Sequence, residues 1–214
     1  MKIQIITLFP EMFEGVFGAS MLWKAQKENL VEFDLINLRD FGIGPRKQVD
    51  DIPYGGGDGM VLKPEPLFAA VEAAKKVAPE ATVLLMTPRG DQFSQEMARE
   101  FAATQAGLII VCGRYEGYDE RITTVVDKQI SVGDYVLTGG ELPAMIIADA
   151  VTRLIPGVLG GATSAELESF SDGATREHPH YTRPEEFQGL KVPDVLLSGH
   201  HGQIEQWRDQ NSKK

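Results

Sequence analysis

Three short segments combine glycine with charged or aromatic residues, and each follows an apolar run. Thr87-Pro88-Arg89-Gly90 follows TVLLM (82–86). Gly113-Arg114-Tyr115-Glu116-Gly117 follows LIIVC (108–112). SVGDYVLTGGE (131–141) follows a third run broken by charge. Glycine lets backbone approach a ligand closely, and loop N–H and C=O groups can read the edge of a heterocycle. One such loop reads most simply as a tight turn. Three of them, each with charged or aromatic neighbours, predict one composite pocket. The marks of a dinucleotide site are missing, since no G-x-G-x-x-G follows the first strand and no Lys-Ser/Thr pair closes a phosphate loop. A phosphate-rich ligand is thereby disfavoured, and a neutral or cationic nucleoside is left open.

Other residues of chemical interest are weaker signals by themselves. Tyr54-Gly55-Gly56-Gly57-Asp58-Gly59-Met60 reads as a floppy connector. Arg153 lies near the end of an apolar helix, where an arginine commonly satisfies terminal carbonyls. Glu166, Glu168 and Asp172 form a carboxylate group in a polar stretch, a pattern most often solvated. The four histidines, His178, His180, His200 and His201, all fall late in the chain. Without cysteine support they do not make a structural metal site, and no metal ligand is assigned.

The elements that must position these residues can be read from periodicity. Lys2–Phe9 alternates and predicts a first strand, and Val31–Leu38 a second. Phe13–Leu30 has helical character, with Ser20 as a candidate N-cap. Residues 39–63 read as a long loop, and Pro64 opens a helix running to Val77. TVLLM and LIIVC predict strands buried on both faces. Between them Ser94 caps a helix reaching about Ala103. Thr124–Val126 and Gln129–Val132 suggest a broken third strand, and Glu141–Ile155 a helix ending at Pro156-Gly157. Strands alternating with helices predict an α/β domain with a mainly parallel sheet, whose ligands bind beyond the carboxyl ends of the strands. After Gly160-Gly161 the texture turns polar. The predicted division is an α/β domain over 1–160, a linker over 161–175 and a small C-terminal domain over 176–214, with Ile204 and Trp207 at helical spacing.

Composition bounds the rest. The 214 residues are 43% hydrophobic and 24% charged, an ordinary globular mix. No apolar run is long enough to cross a bilayer. The start at Met1 without an apolar leader predicts a cytoplasmic protein with no membrane partner. The single cysteine, Cys112, cannot form an internal disulfide. The net charge of -10 lacks the basic excess of a general nucleic-acid binder, so any nucleic-acid recognition would have to rest on a local site.

Eight segments, in order over nearly the whole chain, resemble one family: LFPEMF (8–13), VDDIPYGGGDGM (49–60), VCGRYEGYDER (111–121), SVGDYVLTGGELPAM (131–145), RLIPGVLG (153–160), SAELESF (164–170), PHYTRPEEFQG (179–189) and VPDVLLSGHH (192–201). The family is the bacterial tRNA (guanine-N1)-methyltransferases of the SPOUT class. The resemblance implies an α/β parallel-sheet SPOUT domain with a C-terminal trefoil knot, plus a small helical C-terminal extension. It implies a homodimer with active sites at the subunit interface. It also implies methyl transfer from S-adenosyl-L-methionine to N1 of guanine 37 of tRNA, which supports reading-frame maintenance, with Mg2+ as a candidate accessory ion. By position it assigns the donor site to Pro88, Gly90, Gly113, Glu116, Val132, Gly133, Asp134, Tyr135, Val136, Leu137, Gly139, Gly140 and Pro143.

The same resemblance assigns Glu168 as the base that removes the N1 proton and Arg153 as the cation that stabilises charge on O6. The family's base is an aspartate, so Glu168 is a departure that keeps the carboxylate and adds a methylene. Family members usually continue beyond the segment ending near Gln210 with basic helical sequence. The C-terminal domain is thus expected to be short and tRNA affinity to be the property most affected. Two rivals stay open at this level: a SPOUT enzyme for another RNA position or base, and a non-catalytic protein that only binds RNA or the donor.

Overall fold

The computed structural model of the chain describes residues 1–104, 106–160 and 168–213. These divide into two compact units, Met1–Leu159 and Gly160–Lys214. Glu166 and the first part of the predicted linker, 161–167, lie outside the described residues.

The first unit begins with β1 (Lys2–Thr7), a 3-10 turn at Pro10–Phe13, α1 (Glu14–Phe17), α2 (Ser20–Lys27) and β2 (Glu32–Asn37). A small hairpin of β3 (Asp50–Asp51) and β4 (Val61–Leu62) precedes α3 (Pro64–Val77). Then come β5 (Thr82–Gln92), α4 (Gln95–Ala103), β6 (Leu108–Cys112), β7 (Lys128–Ser131) and α5 (Glu141–Thr152). The five long strands form one sheet in the order β2-β1-β6-β5-β7, and every pairing in it is parallel. This is the α/β parallel-sheet domain that the alternating pattern predicts.

Burial on both faces follows from the period of two. Ile3, Ile5, Leu84, Met86, Leu108 and Ile110 point to a core shared with α4 and α5 residues such as Ala98, Phe101, Ala144 and Ile147. Ile6, Val83, Leu85, Ile109 and Val111 point the other way, onto Leu67, Ala70 and Val71 of α3. Ser94 caps α4, its hydroxyl accepting from the Met97 N–H at 3.3 Å.

Several local expectations differ from the structure. The helical stretch after Phe13 breaks at Gly18–Ser20, where Ser20 adopts φ 49 and Ala19 occupies the cap position without a side-chain bond. Residues 120–125 form a 3-10 turn and not a strand. The cause is local: the hydroxyls of Thr123 and Thr124 turn back onto the carbonyls of Glu120 and Arg121, both at 2.8 Å, and compete with ladder bonds. Helix α5 stops at Thr152, which leaves Arg153 as its C-cap.

The second unit contains a hairpin of β8 (Glu186–Phe187) and β9 (Leu190–Lys191), then α6 (Asp194–Leu197) and α7 (His201–Asn211). Ile204 and Trp207 lie in α7, as their spacing predicts. None of the described residues from 168 onward is buried, so hydrogen bonds and aromatic contacts hold this unit more than a core does.

Candidate active site

Strands β6, β5 and β7 are neighbours, so their carboxyl ends open side by side. The segments leaving β6 and β7, with the stretch 86–89 of β5, enclose a cavity of about 540 Å3, within the usual range for small-molecule sites. Eleven residues that the resemblance assigns to the donor form part of its wall: Pro88, Gly113, Glu116, Val132, Gly133, Tyr135, Val136, Leu137, Gly139, Gly140 and Pro143. Gly90 and Asp134 are not in the wall.

Gly90 has a different reason to be glycine. The segment 87–90 is not a loop after the strand but a bulge inside β5: Met86 and Asp91 both face Ile130, and the strand resumes to Gln92. A Cβ on Gly90 would come 2.4 Å from the backbone of Gln129 and Ile130. The bulge can therefore lie against β7 only without a side chain there. Gly140 is a second such contact. Its N–H donates to the Gly113 carbonyl at 2.8 Å, and a Cβ would sit 2.7 Å from Cys112 Cα and 2.8 Å from Gly113 N.

An ion pair that sequence reasoning left without a role braces the site. Glu141, fully buried at the first turn of α5, accepts from Arg114 Nε at 2.8 Å and from the Thr7 hydroxyl at 2.9 Å. The Arg114 guanidinium also donates to the Thr138 carbonyl at 3.2 Å and lies 4.5 Å over the Phe9 ring. One arginine thus ties the segment after β6 to the segment after β7 and to the end of β1. The signal was present in the sequence: an acid opening an otherwise apolar helix must find a partner when buried. Burial, with the Glu141 charge adding to it, pushes the Cys112 thiol well above its ordinary value. Cys112 is therefore an inert core residue.

At the rim, Arg89 donates to Glu120 at 2.6 Å and to the Tyr118 hydroxyl at 3.1 Å. These two partners, Glu120 first, raise its pKa above the usual arginine value. The glycine-rich 54–60 segment is more than a floppy connector. It forms the tip of the β3–β4 hairpin and is pinned to the wall, with Glu116 N–H donating to the Met60 carbonyl at 3.0 Å and Leu62 N–H to the Gly117 carbonyl at 2.9 Å.

Arg153 belongs to the first unit, where its N–H donates to the Asp149 carbonyl at 3.1 Å, and Glu168 belongs to the second. The rings of His178 and His180 lie 4.7 Å apart and tilted by 56°, with His178 also near Trp207 and His180 3.2 Å from Glu177. Among the described residues no group of three or more His, Cys, Asp or Glu is disposed to hold a metal ion. Among them, too, no helix is long and apolar enough to cross a membrane.

Comparison with known proteins agrees with this arrangement. The model of the family described as tRNA (Guanine-1)-methyltransferase TrmD matches residues 1–214. A tRNA (guanine-N(1)-)-methyltransferase of Halalkalibacterium halodurans is 56% identical over 216 residues, covering 100% of this chain and 87% of the relative. The protein of that name from Bacillus subtilis is 54% identical, with 99% and 87% covered. The crystal structure of a tRNA (m1G37) methyltransferase from Aquifex aeolicus superposes with a TM-score of 0.80 at 40% identity, covering 97% of this chain and 87% of that one.

Proposed function

Since the chain belongs to the tRNA (guanine-1)-methyltransferase family, we propose how its own residues perform methyl transfer to N1 of guanine 37 in tRNA. The observation that carries the reading is the cavity formed by the bulge of β5 and the segments after β6 and β7, lined by glycine backbone and apolar side chains. S-adenosylmethionine fits that wall: Val132, Leu137 and Pro143 offer apolar surface, backbone N–H and C=O groups flank the glycines, and Glu116 places a carboxylate beside a cationic ligand. When bound, the donor supplies an activated methyl group on a sulfonium.

Guanine N1 carries a proton at neutral pH and is a poor nucleophile. The Glu168 carboxylate takes that proton as N1 bonds to the methyl carbon. With the donor bound, the methyl group would pass from sulfur to N1, the carbon–sulfur electron pair staying on sulfur as a neutral thioether. Negative charge that builds on O6 is met by the Arg153 guanidinium. Holding N1 in line with the methyl group supplies much of the remaining acceleration. No step is assigned to Mg2+, since the described residues offer no group of three or more His, Cys, Asp or Glu disposed to hold it. The place of action is the cytoplasm, where the tRNA substrate is found.

The test is methyl transfer to tRNA transcripts differing only at position 37. The expected result is methylation of the G37 transcript and none of the A37 transcript. Equal labelling of both, or of neither while the donor binds, would favour one of the two rival readings.

A homodimer completes the reading. Met12, Val16, Leu142 and Ile146 are 37–48% exposed, and the 3-10 turn that holds Met12 packs against α5. Together they form an apolar face of the kind that marks an interaction surface. Two copies joined there would let Glu168 of one chain serve the donor bound by the other. Leu137→Arg extends a cation from the cavity wall and should prevent donor binding without disturbing the core. Mixed with Glu168→Ala subunits, it should regain activity, because one intact hybrid site forms. No recovery after verified subunit exchange would place each site within one chain.

A further inference from the structure

Glu168 opens a turn that is closed by hydrogen bonds. Its carbonyl oxygen accepts from the Ser171 N–H at 3.1 Å, and the Phe170 N–H donates to the Thr175 carbonyl at 2.6 Å. The carboxylate of Asp172 accepts three bonds across the mouth of the turn, from the Ala174 N–H at 3.0 Å, the Thr175 N–H at 2.6 Å and the Thr175 hydroxyl. The far side is fixed as well. The Glu177 N–H donates to the Ser169 hydroxyl at 3.1 Å, and Arg176 and Lys213 exchange two backbone bonds just after α7.

We propose that Asp172 is a positioning residue for methyl transfer: its carboxylate closes the 168–175 turn and thereby fixes where the Glu168 side chain can reach. The proposal rests on the reading of Glu168 as the general base. No buried side chain holds this segment, since every described residue from 168 to 213 is at least partly exposed. Hydrogen bonds must therefore do so, and bonds to a carboxylate are among the stronger kind. A base has to stand within hydrogen-bond reach of the N1 proton, and small displacements cost rate steeply. The three donors, the Thr175 hydroxyl first, hold the Asp172 carboxyl well below the ordinary carboxylate range. Because that folded-state value is lowered, the brace is intact at neutral pH and is lost only as pH falls through strong acid.

The experiment is single-turnover methyl transfer to a G37 transcript by the full chain, with donor affinity measured by calorimetry. Asp172→Ala should lower the rate roughly ten- to a hundredfold and leave donor affinity unchanged. Asp172→Asn keeps an oxygen for the two backbone N–H groups and should stay within about threefold of wild type. Thr175→Val removes only the hydroxyl donor and should show a smaller loss in the same direction, which keeps the proposal testable if Asp172→Ala folds poorly. The double variant Glu168→Gln/Asp172→Ala should be no slower than Glu168→Gln alone, because the effect passes through the base. A multiplicative further loss in the double variant would overturn the positioning role. So would a wild-type rate for Asp172→Ala beside an inactive Glu168→Gln. A wild-type rate for Glu168→Gln would instead overturn the base reading itself, so the two failures are told apart.

Discussion

Replacing Glu168 with glutamine is expected to slow methyl transfer by about a hundredfold or more, the usual range for loss of a general base. Glutamine preserves length and hydrogen-bonding shape but cannot accept the proton from N1. The loss should fall on the chemical step, with donor affinity unchanged, because the carboxylate acts only as charge develops. Glu168→Asp should be tolerated and is expected to match or exceed the wild-type rate, since it restores the residue usual in the family. Glu166, two positions earlier, is the control. An inactive Glu166→Gln beside an active Glu168→Gln would transfer the role, and wild-type rates for both would remove the general-base model from this segment.

The second large effect is expected from Gly140→Val. A side chain there does not intrude on ligand space first. It meets the protein itself: the nearest atoms to an added Cβ are Cys112 Cα at 2.7 Å, Gly113 N at 2.8 Å and Met86 Cβ at 3.0 Å. These lie at the ends of β5 and β6, which are backed by a close-packed core and cannot yield cheaply. The segment after β7 must move away, and its bond to the Gly113 carbonyl is lost with it. Calorimetry should detect no donor binding, and overpacking should cost about 3 kcal/mol, a fall in melting temperature on the order of 10 °C for a chain of this size. Wild-type melting together with wild-type affinity would show that the two segments do not meet at Gly140.

Much of this was legible before any coordinates. The alternation over Lys2–Phe9 identifies the first strand, the continuous apolar runs at 82–86 and 108–112 identify strands buried on two faces, and three glycine-bearing segments after apolar runs announce one pocket. What could not be read is what depends on partners distant in sequence. Gly90 and Gly140 look like ligand glycines, yet they are explained by backbone packing against β7 and β6. Thr124–Val126 looked like part of a strand because β-branched residues favour one, and two threonine hydroxyls draw its start into the 120–125 turn. Glu141 and Arg114 stand in quoted motifs without a role, because nothing in the spacing says that a residue from the start of the chain completes their pair. The catalytic assignments of Glu168 and Arg153 came from resemblance alone; periodicity offered only a polar stretch and a helix end.

The brace between Thr7, Arg114 and Glu141 has a consequence for how the chain acquires its pocket. The bond between Thr7 and Glu141 joins residues 134 positions apart, and β1 pairs with β6, so the first strand cannot complete its pairing until most of the first unit exists. Loop closure over such separations makes folding slow compared with domains built from local contacts. On the ribosome, the first hundred residues can collapse without the acid that anchors Arg114, and the cavity wall is unfinished until α5 has emerged. The donor could then bind only to a chain that has nearly finished folding. Donor occupancy would accordingly report completion of the first unit during synthesis, not the presence of β5 and β6 alone.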